Sequence, residues 1–463
     1  MSIVTVQLGQ CGNQIGNCLF STLLADSTRD TTKNSSYYEQ ESIERFFHRD
    51  KAGRLVARAV LVDMEPKVVQ QSLTEAARSK KWRYNENSVY YQNRGSGNNW
   101  ANGYVSYGPK AAEKVADLVQ KQLEYCDHVG GVMVMMSVAG GTGSGVGARV
   151  TEVLHDMYPN TTLLNQTVWP YSSGEVIVQG YNTLLTLSHL YKSSDAIMVL
   201  YNDQLHKTCS QLLKLKHISF GDMNNVASHG LASILQPAVP LDCFNNSLFS
   251  RGGGNERFLY SMCSLSELVT SLCPHQHYKL LSLKSIPQMP DTYHAYTSYL
   301  WAGLLRHLRQ MLLTDASISE GMDWTVTPEV PLRQRHLPNI DISVSSLSKS
   351  LANLLILRGS DLQSADVSPF KDAKIYSSGA SPHFNLQSWV HWHPFNKYEK
   401  SASVLTNSQG IVLPLNTLCQ KSWDMFASRA YLHQYARYGI SEEDMLECFV
   451  SIEQVLKNYA SLK

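Results

Sequence analysis

An apolar run that breaks into glycines constrains this chain more than any other feature. Residues 132–136, VMVMM, are typical of a buried strand, residues 140–145 read GGTGSG, and a helical stretch follows at about 148–158. Glycines let backbone N–H groups approach a phosphate, and a helix N-terminus adds partial positive charge. Thr142 and Ser144 add hydroxyl donors. The pattern therefore predicts a phosphate-binding loop of an α/β protein.

The type of loop matters for the charge balance. It lacks the Lys and Ser/Thr of a P-loop and does not read G-x-G-x-x-G, so phosphate charge must be met by backbone donors, the helix dipole and Mg²⁺. On its own, such a loop fits a tight, ligand-free turn equally well. A second loop, residues 9–16 (GQCGNQIG), follows an expected strand at 3–8. Two such loops predict a nucleotide held at one edge of a parallel sheet.

Length, charge and cysteine content narrow the class of protein. The 463 residues exceed one ordinary domain, and 43% hydrophobic residues suffice for a sizeable core. A net charge of +1 gives no electrostatic drive toward nucleic acid or membrane. Nine cysteines without a C-x-x-C pair indicate free thiols in a reducing compartment. We expect neither a signal peptide nor a membrane-spanning segment, because the chain opens on a strand and has no long apolar run.

Two further features lie between the first two loops: an acidic pair after an expected strand, and a third glycine-rich loop. The strand at 57–62 leads into Asp63 and Glu65, carboxylates of the kind that Mg²⁺ prefers, although a capped helix start explains them equally simply. Residues 94–100, RGSGNNW, form a third glycine-rich loop. The alternation of strands and helices predicts a doubly wound sheet. The other expected strands are 163–168 and 196–200, and the expected helices are 109–126, 148–158, 180–190 and 204–213.

We expect three domains in an α/β fold class. Residues 1–205 should form a nucleotide-binding domain on a doubly wound parallel sheet. Residues 206–412 should hold a long central helix at about 221–235 and a second, mixed α/β domain, with an insertion at about 242–256. Residues 413–463 should form a C-terminal helical region without a long acidic tail, so partners that recognise such tails are not expected.

At this point the motifs form a recognisable set. GQCGNQIG, GSGNNWANG and AGGTGSGVGA resemble the signature motifs of the tubulin family in order and spacing, and MFASRAYLHQY resembles the segment before the last tubulin helices. The resemblance covers nearly the whole chain and implies the tubulin-like α/β fold. Within the family, the segments most similar to the delta class include LVDMEPKV, ISF-x-D-x-N and KYEKSA.

The resemblance implies a GTP/GDP site with Mg²⁺, and its residues carry over position by position. The positions that match nucleotide contacts are Gln10, Cys11, Gln14, Gly97, Asn98, Asn99, Ala139, Gly140, Gly141, Thr142, Gly143, Ser144, Gly145, Glu175, Gln179, Asn202, Phe220 and Asn224. The positions that match the Mg²⁺ site, through water, are Asp63 and Glu65.

Some of these positions carry a specific expectation. Asn202 and Asn224 match the two asparagines that recognise the guanine edge, which an amide can do with its donor and its acceptor. Phe220 stands where α- and β-tubulins place a stacking Tyr, so the ring is kept and the hydroxyl is lost. Gln179 replaces a ribose-contacting Glu, and Glu175 takes the place of a nearby ribose-facing Asp.

Hydrolysis depends on a different segment, residues 264–274. Glu267 matches the tubulin acid that acts on the nucleotide of the adjacent subunit, where a carboxylate would orient and deprotonate the attacking water. The resemblance thus implies a GTPase that works only in trans, at a subunit interface. An ordinary exposed helix Glu is the alternative.

The resemblance to the delta class also implies a cell-biological role. It implies a GTP-binding cytoskeletal protein of the cytoplasm, centrosome and nucleus. Such a protein acts at centrioles and basal bodies, where it forms or maintains triplet microtubules. It thereby supports cilia and flagella. The implied partners are other tubulins, among them ε-tubulin and α/β-tubulin, with no nucleic acid and no membrane. Two alternatives stay open: a tubulin-fold scaffold that binds GTP without hydrolysis, and a dinucleotide-dependent oxidoreductase, which would need one dominant G-x-G-x-x-G loop.

Overall fold

The computed structural model describes most of the chain. The described residues are 1–29, 35–174, 176–245, 260, 262–290, 292–293, 299–316, 335–337, 340–344, 347–378, 380 and 385–463. They divide into two compact units. The first unit comprises Met1–Ser21, Ile43–Asp203 and Pro414–Leu456, and the second comprises Thr22–Ser42, Gln204–Leu413 and Lys457–Lys463. Compact units are not by themselves domains, so the three expected domains stay a prediction.

The first unit is built on a parallel sheet. Its strands are β1 Ser2–Leu8, β2 Phe47–Arg49, β3 Leu55–Ala57, β4 Ala59–Asp63, β5 Trp82–Arg83, β6 Val89–Tyr91, β7 Val129–Ser137, β8 Leu163–Trp169 and β9 Ala196–Tyr201. The order β9-β8-β7-β1-β4-β6 forms the main sheet, in which every pair is parallel, and β2, β3 and β5 form a small separate sheet. Every residue of β1 and β8 is buried, so both faces of the main sheet are covered.

The strand order creates a switch point between β1 and β7. The chain runs outward from β1 through β4 to β6, then returns to place β7 on the other side of β1 and continues to β8 and β9. Because β1 and β7 are parallel neighbours, their carboxyl ends lie side by side and the loops that follow them leave the same edge of the sheet. Such a switch point is where open α/β sheets bind ligands.

Helices follow most strands along the chain. The α-helices are Gly9–Ser27, Ser35–Phe46, Pro66–Arg78, Gly108–Glu124, Gly147–Met157, Gln179–Ser193, Asn202–Lys207, Phe220–Leu235, Leu241–Asn245, Leu265–Leu272, Trp301–Thr314, Val412–Ala427, Leu432–Ala436 and Glu442–Ala460. Within the part of the chain that the structure describes, the π-helical stretches are Asn102–Tyr107, Thr142–Val146 and Thr208–Leu212. No helix among the described residues is long and apolar enough to cross a membrane.

The second unit holds a mixed sheet and one buried helix at its core. Its strands are β10 Val239–Pro240, β11 Leu280–Ile286, β12 Arg335–Leu337, β13 Ile340–Val344, β14 Ser350–Gly359, β15 Leu386–His391 and β16 Lys400–Ser408. The order β10-β15-β14-β16-β11 contains one parallel pair, β14 with β15, while the other neighbours run antiparallel. Helix Trp301–Thr314 places Leu304, Leu308 and Met311 in the core against Val404.

The α/β fold class is confirmed, and most expected elements lie within a residue or two of the observed ones. One expected strand, 57–62, is instead two strands in different sheets. The N–H of Arg58 donates to the Phe46 carbonyl at 2.9 Å, and the Arg58 carbonyl accepts from Thr5 N at 2.9 Å, so the chain changes sheets at this residue. The expected helix 204–213 changes to a π-helix at Thr208. The expected insertion lies outside the described residues beyond residue 245.

Candidate nucleotide-binding site

The three glycine-rich loops of the first unit meet beside the switch point. A Cβ placed on Gly9 would lie 3.1 Å from the Gly143 nitrogen, so the loops after β1 and β7 are in contact. Gly9 also has a φ of 70°, a conformation that glycine adopts without strain. The loop after β6 joins them, because the Ser96 and Thr142 hydroxyls lie 3.0 Å apart. The sequence predicted the three loops, and the structure brings them together.

Most glycines of the central loop serve the packing of the protein itself. A Cβ on Gly143 would lie 2.7 Å from the Ser137 carbonyl oxygen, and one on Gly145 would lie 2.8 Å from the Tyr104 nitrogen. Gly140 differs, because the nearest atom to a Cβ there is Asn98 Oδ1 at 3.7 Å. Packing among the described residues therefore does not require a glycine at position 140, which leaves this position open to close approach by a ligand.

The helix start after the loop supplies backbone donors rather than hydroxyl donors. The π-helix begins at Thr142 with no side-chain cap, and the first N–H groups of a helix have no partner within it. These groups and the helix dipole favour an anion. The Ser144 hydroxyl donates to the Gly140 carbonyl, and the Thr142 hydroxyl is paired with Ser96. Both expected hydroxyl donors thus already have protein partners.

The loop after β6 uses its two asparagines differently. Gly97 and Asn98 have positive φ values of 64° and 51°, and the Asn98 side chain is exposed. Asn99 is buried, its Oδ1 accepts from Asn102 N at 3.0 Å, and its Nδ2 donates to the Gln434 carbonyl at 3.3 Å. Asn99 therefore holds the shape of the loop, while the Asn98 amide faces solvent.

The expected Mg²⁺ pair lies at the carboxyl end of β4. Asp63 is buried, and burial raises the pKa of its carboxyl to about 6, against the hydrogen bonds from the Met64 and Glu65 backbone N–H groups. Glu65 is exposed, and its carboxylate occupies the position that a Cβ on Gly95, in the loop after β6, would take. No cluster of three or more His, Cys, Asp or Glu that could hold a metal occurs among the described residues. These carboxylates fit Mg²⁺ that takes its remaining ligands from phosphate and water.

The loop after β1 contributes one exposed and two half-buried candidates, Gln10, Cys11 and Gln14. Burial raises the pKa of the Cys11 thiol to about 12, so this residue is a neutral thiol at physiological pH. Asn13, which the sequence analysis did not single out, is fully buried. It donates to the Gly9 carbonyl at 2.9 Å and the Val62 carbonyl at 3.0 Å, and thereby ties this loop to the end of β4.

The remaining candidates of the first unit also follow strands of the main sheet. Ala139 lies just beyond β7, and Asn202 is the first residue of the helix after β9. Gln179 begins helix Gln179–Ser193, and its Nε2 donates to the Tyr171 carbonyl at 2.9 Å. Glu175 lies outside the described residues.

Three candidates belong to the second unit. Phe220 and Asn224 lie one turn apart on the same face of helix Phe220–Leu235, where Phe220 is 47% exposed and Asn224 is buried. A capping box between Ser219 and Asp222 fixes this helix start. Glu267 is exposed, and its backbone N–H donates to the Ser264 hydroxyl at 3.1 Å, the N-cap of helix Leu265–Leu272.

A residue that the sequence analysis missed joins two of the loops. Asn182 is fully buried, its Nδ2 donates to the Asn98 carbonyl at 2.8 Å and the Ala139 carbonyl at 2.7 Å, and its Oδ1 accepts from Trp100 N at 3.0 Å. The sequence hinted at this role only through the position of Asn182, a polar amide directly before the leucine-rich residues 183–190. A buried amide in such a stretch needs partners, but the sequence does not name them.

A charged pair, His189 and Glu152, packs against Trp100 at the end of the loop after β6. His189 lies 2.5 Å from Glu152 through its Nδ1, and its ring packs 4.9 Å from the Trp100 ring. Burial lowers the pKa of His189, but hydrogen bonds to the Cys448 and Glu152 side chains outweigh burial and raise it to about 9. At neutral pH this histidine is therefore a cation paired with Glu152.

This pair predicts a pH dependence of stability. Because the folded-state pKa lies above the unfolded value of about 6.5, the stabilisation is complete below about pH 6.5 and is lost as pH rises to about 9. We expect the urea midpoint of the wild type to fall across this range and that of Glu152→Gln to fall less. Equal slopes for the two proteins would contradict the pairing.

Comparisons with known proteins assign the region that holds the three loops to a known family. Residues 2–210 match the GTPase domain of the Tubulin/FtsZ family. The chain is 47% identical to the tubulin delta chain of Homo sapiens over 470 residues and 46% identical to that of Macaca fascicularis over 469 residues, in both cases across 100% of each chain. It is 35% identical to the tubulin beta-1 chain of Glycine max over 236 residues, which cover 50% of this chain and 52% of that protein. The chain therefore belongs to the tubulin family.

Proposed function

We propose that this chain binds guanine nucleotide with Mg²⁺ and acts as a cytoskeletal protein of the delta type. The observation that carries the proposal is the meeting of three glycine-rich loops at the carboxyl ends of β1 and β7, supported by the match of residues 2–210 to a GTPase domain. Backbone N–H groups of the loop after β7 bind the phosphates, and Asp63 and Glu65 hold Mg²⁺ through water. An oxidoreductase is not favoured, because membership of the tubulin family leaves no role for a dinucleotide.

The base contacts of this proposal rest on the match to tubulin positions. On helix Phe220–Leu235, Asn224 offers a donor and an acceptor to the guanine edge and Phe220 offers an exposed ring for stacking. Asn202, just after β9, matches the second amide that contacts the base. Adenine presents the opposite order of donor and acceptor at this edge, so its hydrogen bonds to these amides would be mismatched, which costs about 1–3 kcal/mol.

Competition for labelled GTP tests the nucleotide assignment. Unlabelled GTP should displace the label from the purified chain far better than ATP does, and Asn224→Ala should reduce that preference roughly ten-fold. The matched control is Asn225→Ala, because Asn225 is the adjacent asparagine and is exposed. Equal displacement by GTP and ATP would remove the guanine assignment, and chromatography of the nucleotide extracted from the protein gives an independent check.

The cellular part of the proposal is a role at centrioles and basal bodies. Its partners would be other tubulins, namely ε-tubulin and the α/β-tubulin of triplet microtubules. Similarity to tubulin delta chains over the full length of both proteins supports this role. Depletion of the protein in ciliated cells, followed by electron microscopy of basal bodies, should show doublets where triplets are normal. Intact triplets and normal cilia after complete depletion would contradict it.

The hydrolysis step gives a separate prediction about Glu267. Its exposed carboxylate is free to face the nucleotide of another subunit, so activity should require association and rise with protein concentration. We expect Glu267→Ala to lower the single-turnover rate roughly ten- to a hundred-fold with no change in GTP affinity. The control is Glu443→Ala, another acid exposed at a helix start.

The alternative outcome would identify a scaffold that binds GTP without hydrolysis. Glu267 occupies the first turn of a capped helix, where an acid also stabilises the helix dipole without any catalytic role. An Ala variant as fast as the wild type, or a rate independent of concentration, would favour this alternative and leave GTP binding intact.

A further inference from the structure

Asn182 uses its entire hydrogen-bonding capacity on groups that surround the loops. Besides its bonds to the Asn98 carbonyl, the Ala139 carbonyl and Trp100 N, its Oδ1 accepts from the Tyr435 hydroxyl at 2.7 Å. The two carbonyls need a donor and Trp100 N needs an acceptor, so the amide orientation is fixed by its partners. No other neutral side chain of this size can replace all four bonds.

The bond to Tyr435 is one of three that join the loop region to residues 430–435, which we call the C-terminal segment. Asn99 Nδ2 donates to the Gln434 carbonyl at 3.3 Å, and the Tyr181 hydroxyl donates to the Ala430 carbonyl at 3.1 Å. The rings of Tyr181 and Tyr435 also meet edge to face at 5.5 Å. All of these groups lie within the first unit.

The backbone at the start of the C-terminal segment is held in an unfavourable conformation. Arg429 and Tyr431 have φ values of 52° and 61°, in the left-handed region that side chains with a Cβ rarely adopt. Such a conformation is strained and persists only where surrounding contacts fix it. Asn99 and Tyr181 donate to carbonyls of this segment and Asn182 accepts from its Tyr435 hydroxyl, and these bonds tie the segment to the loop region.

We propose that Asn182 is a positioning residue that fixes the loops after β6 and β7 for the nucleotide, and that the C-terminal segment responds through it to the presence of the γ-phosphate. The proposal rests on the proposed nucleotide site. A γ-phosphate that orders Asn98 strengthens the bond that Asn182 Nδ2 donates to the Asn98 carbonyl, and hence the bond that Asn182 Oδ1 accepts from the Tyr435 hydroxyl. Because such coupling is reciprocal, a change at Tyr435 must alter the preference for GTP over GDP.

Tyr435→Phe tests the coupling with the smallest change, because it removes only the hydroxyl donor and keeps the ring. We expect the ratio of GDP to GTP dissociation constants to fall roughly five-fold, mainly through weaker GTP binding. A general loss of stability would weaken both nucleotides alike, so the ratio separates positioning from folding. The control is Tyr438→Phe, whose hydroxyl bonds none of these groups and whose ratio should match the wild type.

Asn182→Asp tests the role of Asn182 directly. The substitution keeps the size of the side chain, but it places an oxygen instead of the Nδ2 donor against the Asn98 and Ala139 carbonyls. Its GTP affinity should fall more than ten-fold. Hydrogen exchange gives an independent reading: amides 430–435 of the wild type should exchange more slowly with GTP than with GDP, and this difference should vanish in Tyr435→Phe. If Asn182→Asp does not fold, Tyr435→Phe decides.

The outcomes separate this inference from the proposed function. A wild type that binds guanine nucleotide, with an unchanged ratio in Tyr435→Phe and equal exchange of residues 430–435 in both nucleotide states, overturns the coupling and leaves the nucleotide site intact. A wild type that binds neither GTP nor GDP overturns both. A lowered ratio with nucleotide-dependent exchange supports the coupling.

Discussion

Gly140→Val should lower GTP affinity roughly a thousand-fold while the protein keeps its wild-type stability. A Cβ at this position would meet only Asn98 Oδ1 at 3.7 Å, an ordinary contact distance, so the described residues leave room for a Cβ here. The backbone here does not adopt a positive φ, so valine introduces no left-handed strain. The added methyl groups would occupy the space through which phosphate reaches the backbone N–H groups. Loss of two charge-assisted hydrogen bonds, each worth about 1.5–3 kcal/mol, gives the expected magnitude.

The matched control is the same substitution five residues later. A Cβ on Gly145 would collide with the Trp100 carbonyl and lie 2.8 Å from Tyr104 N, so Gly145→Val should destabilise the protein whether or not nucleotide is present. Urea unfolding without nucleotide and equilibrium binding of a fluorescent GTP analogue measure the two effects separately. If Gly140→Val is as stable as the wild type and binds GTP equally well, the phosphates do not approach the loop at residue 140.

The sequence allowed the position of the site to be predicted because its main features are local. The strand, loop and helix around residues 132–158 are encoded by an apolar run, glycines and helical periodicity, and β7 with helix Gly147–Met157 lies where expected. The strand before the loop at residues 9–16 was also predicted from its local pattern, whereas β6, the short strand before the third loop, was not. Parallel pairing then brings their carboxyl ends to one edge, which is a general property of such sheets.

The features that escaped prediction depend on contacts between distant residues. Asn182 and Tyr435 are 253 residues apart, and no pattern in either stretch indicates that they meet. The sheet change at Arg58 likewise depends on Phe46 and Thr5, which lie in other elements. Residue type alone suggested that Ser144 donates to phosphate, whereas its hydroxyl bonds a carbonyl of its own helix start, as serine in a helix often does.

The helix that carries Phe220 and Asn224 depends at its other end on a buried arginine. Arg358 of β14 is 1% exposed, and its guanidinium donates to the carbonyls of Ser233 at 3.0 Å, Gln236 at 2.7 Å and Pro237 at 2.9 Å. These carbonyls end helix Phe220–Leu235, where a cation also complements the helix dipole.

A second set of polar groups shares this buried region. The Gln236 side chain donates to Asp26 at 3.0 Å, and the Tyr38 hydroxyl donates to the same carboxylate at 2.5 Å. Burial raises the pKa of Asp26, and the charge of Arg358 opposes that rise. The arginine thus also favours the charged form of Asp26, so its loss would disturb the carboxyl group as well as the helix end.

Arg358→Met should therefore destabilise the protein by about 3–5 kcal/mol, the cost of removing one partner from a buried charged network. Methionine fills much of the volume but offers no donor, so three carbonyls lose their partners at once. The stability of Arg358→Lys should lie between those of the wild type and Arg358→Met, because an ammonium group cannot span the three carbonyls as the planar guanidinium does.

The control is Lys371→Met, since Lys371 is exposed and substitutions at exposed residues usually change the free energy of unfolding by no more than about 0.5 kcal/mol. The measurement is urea unfolding followed by circular dichroism, with GTP competition by ATP on the folded variants. A loss below about 1 kcal/mol for Arg358→Met would show that the helix end is satisfied by other groups, and an unchanged base preference would show that the positions of Phe220 and Asn224 do not depend on it.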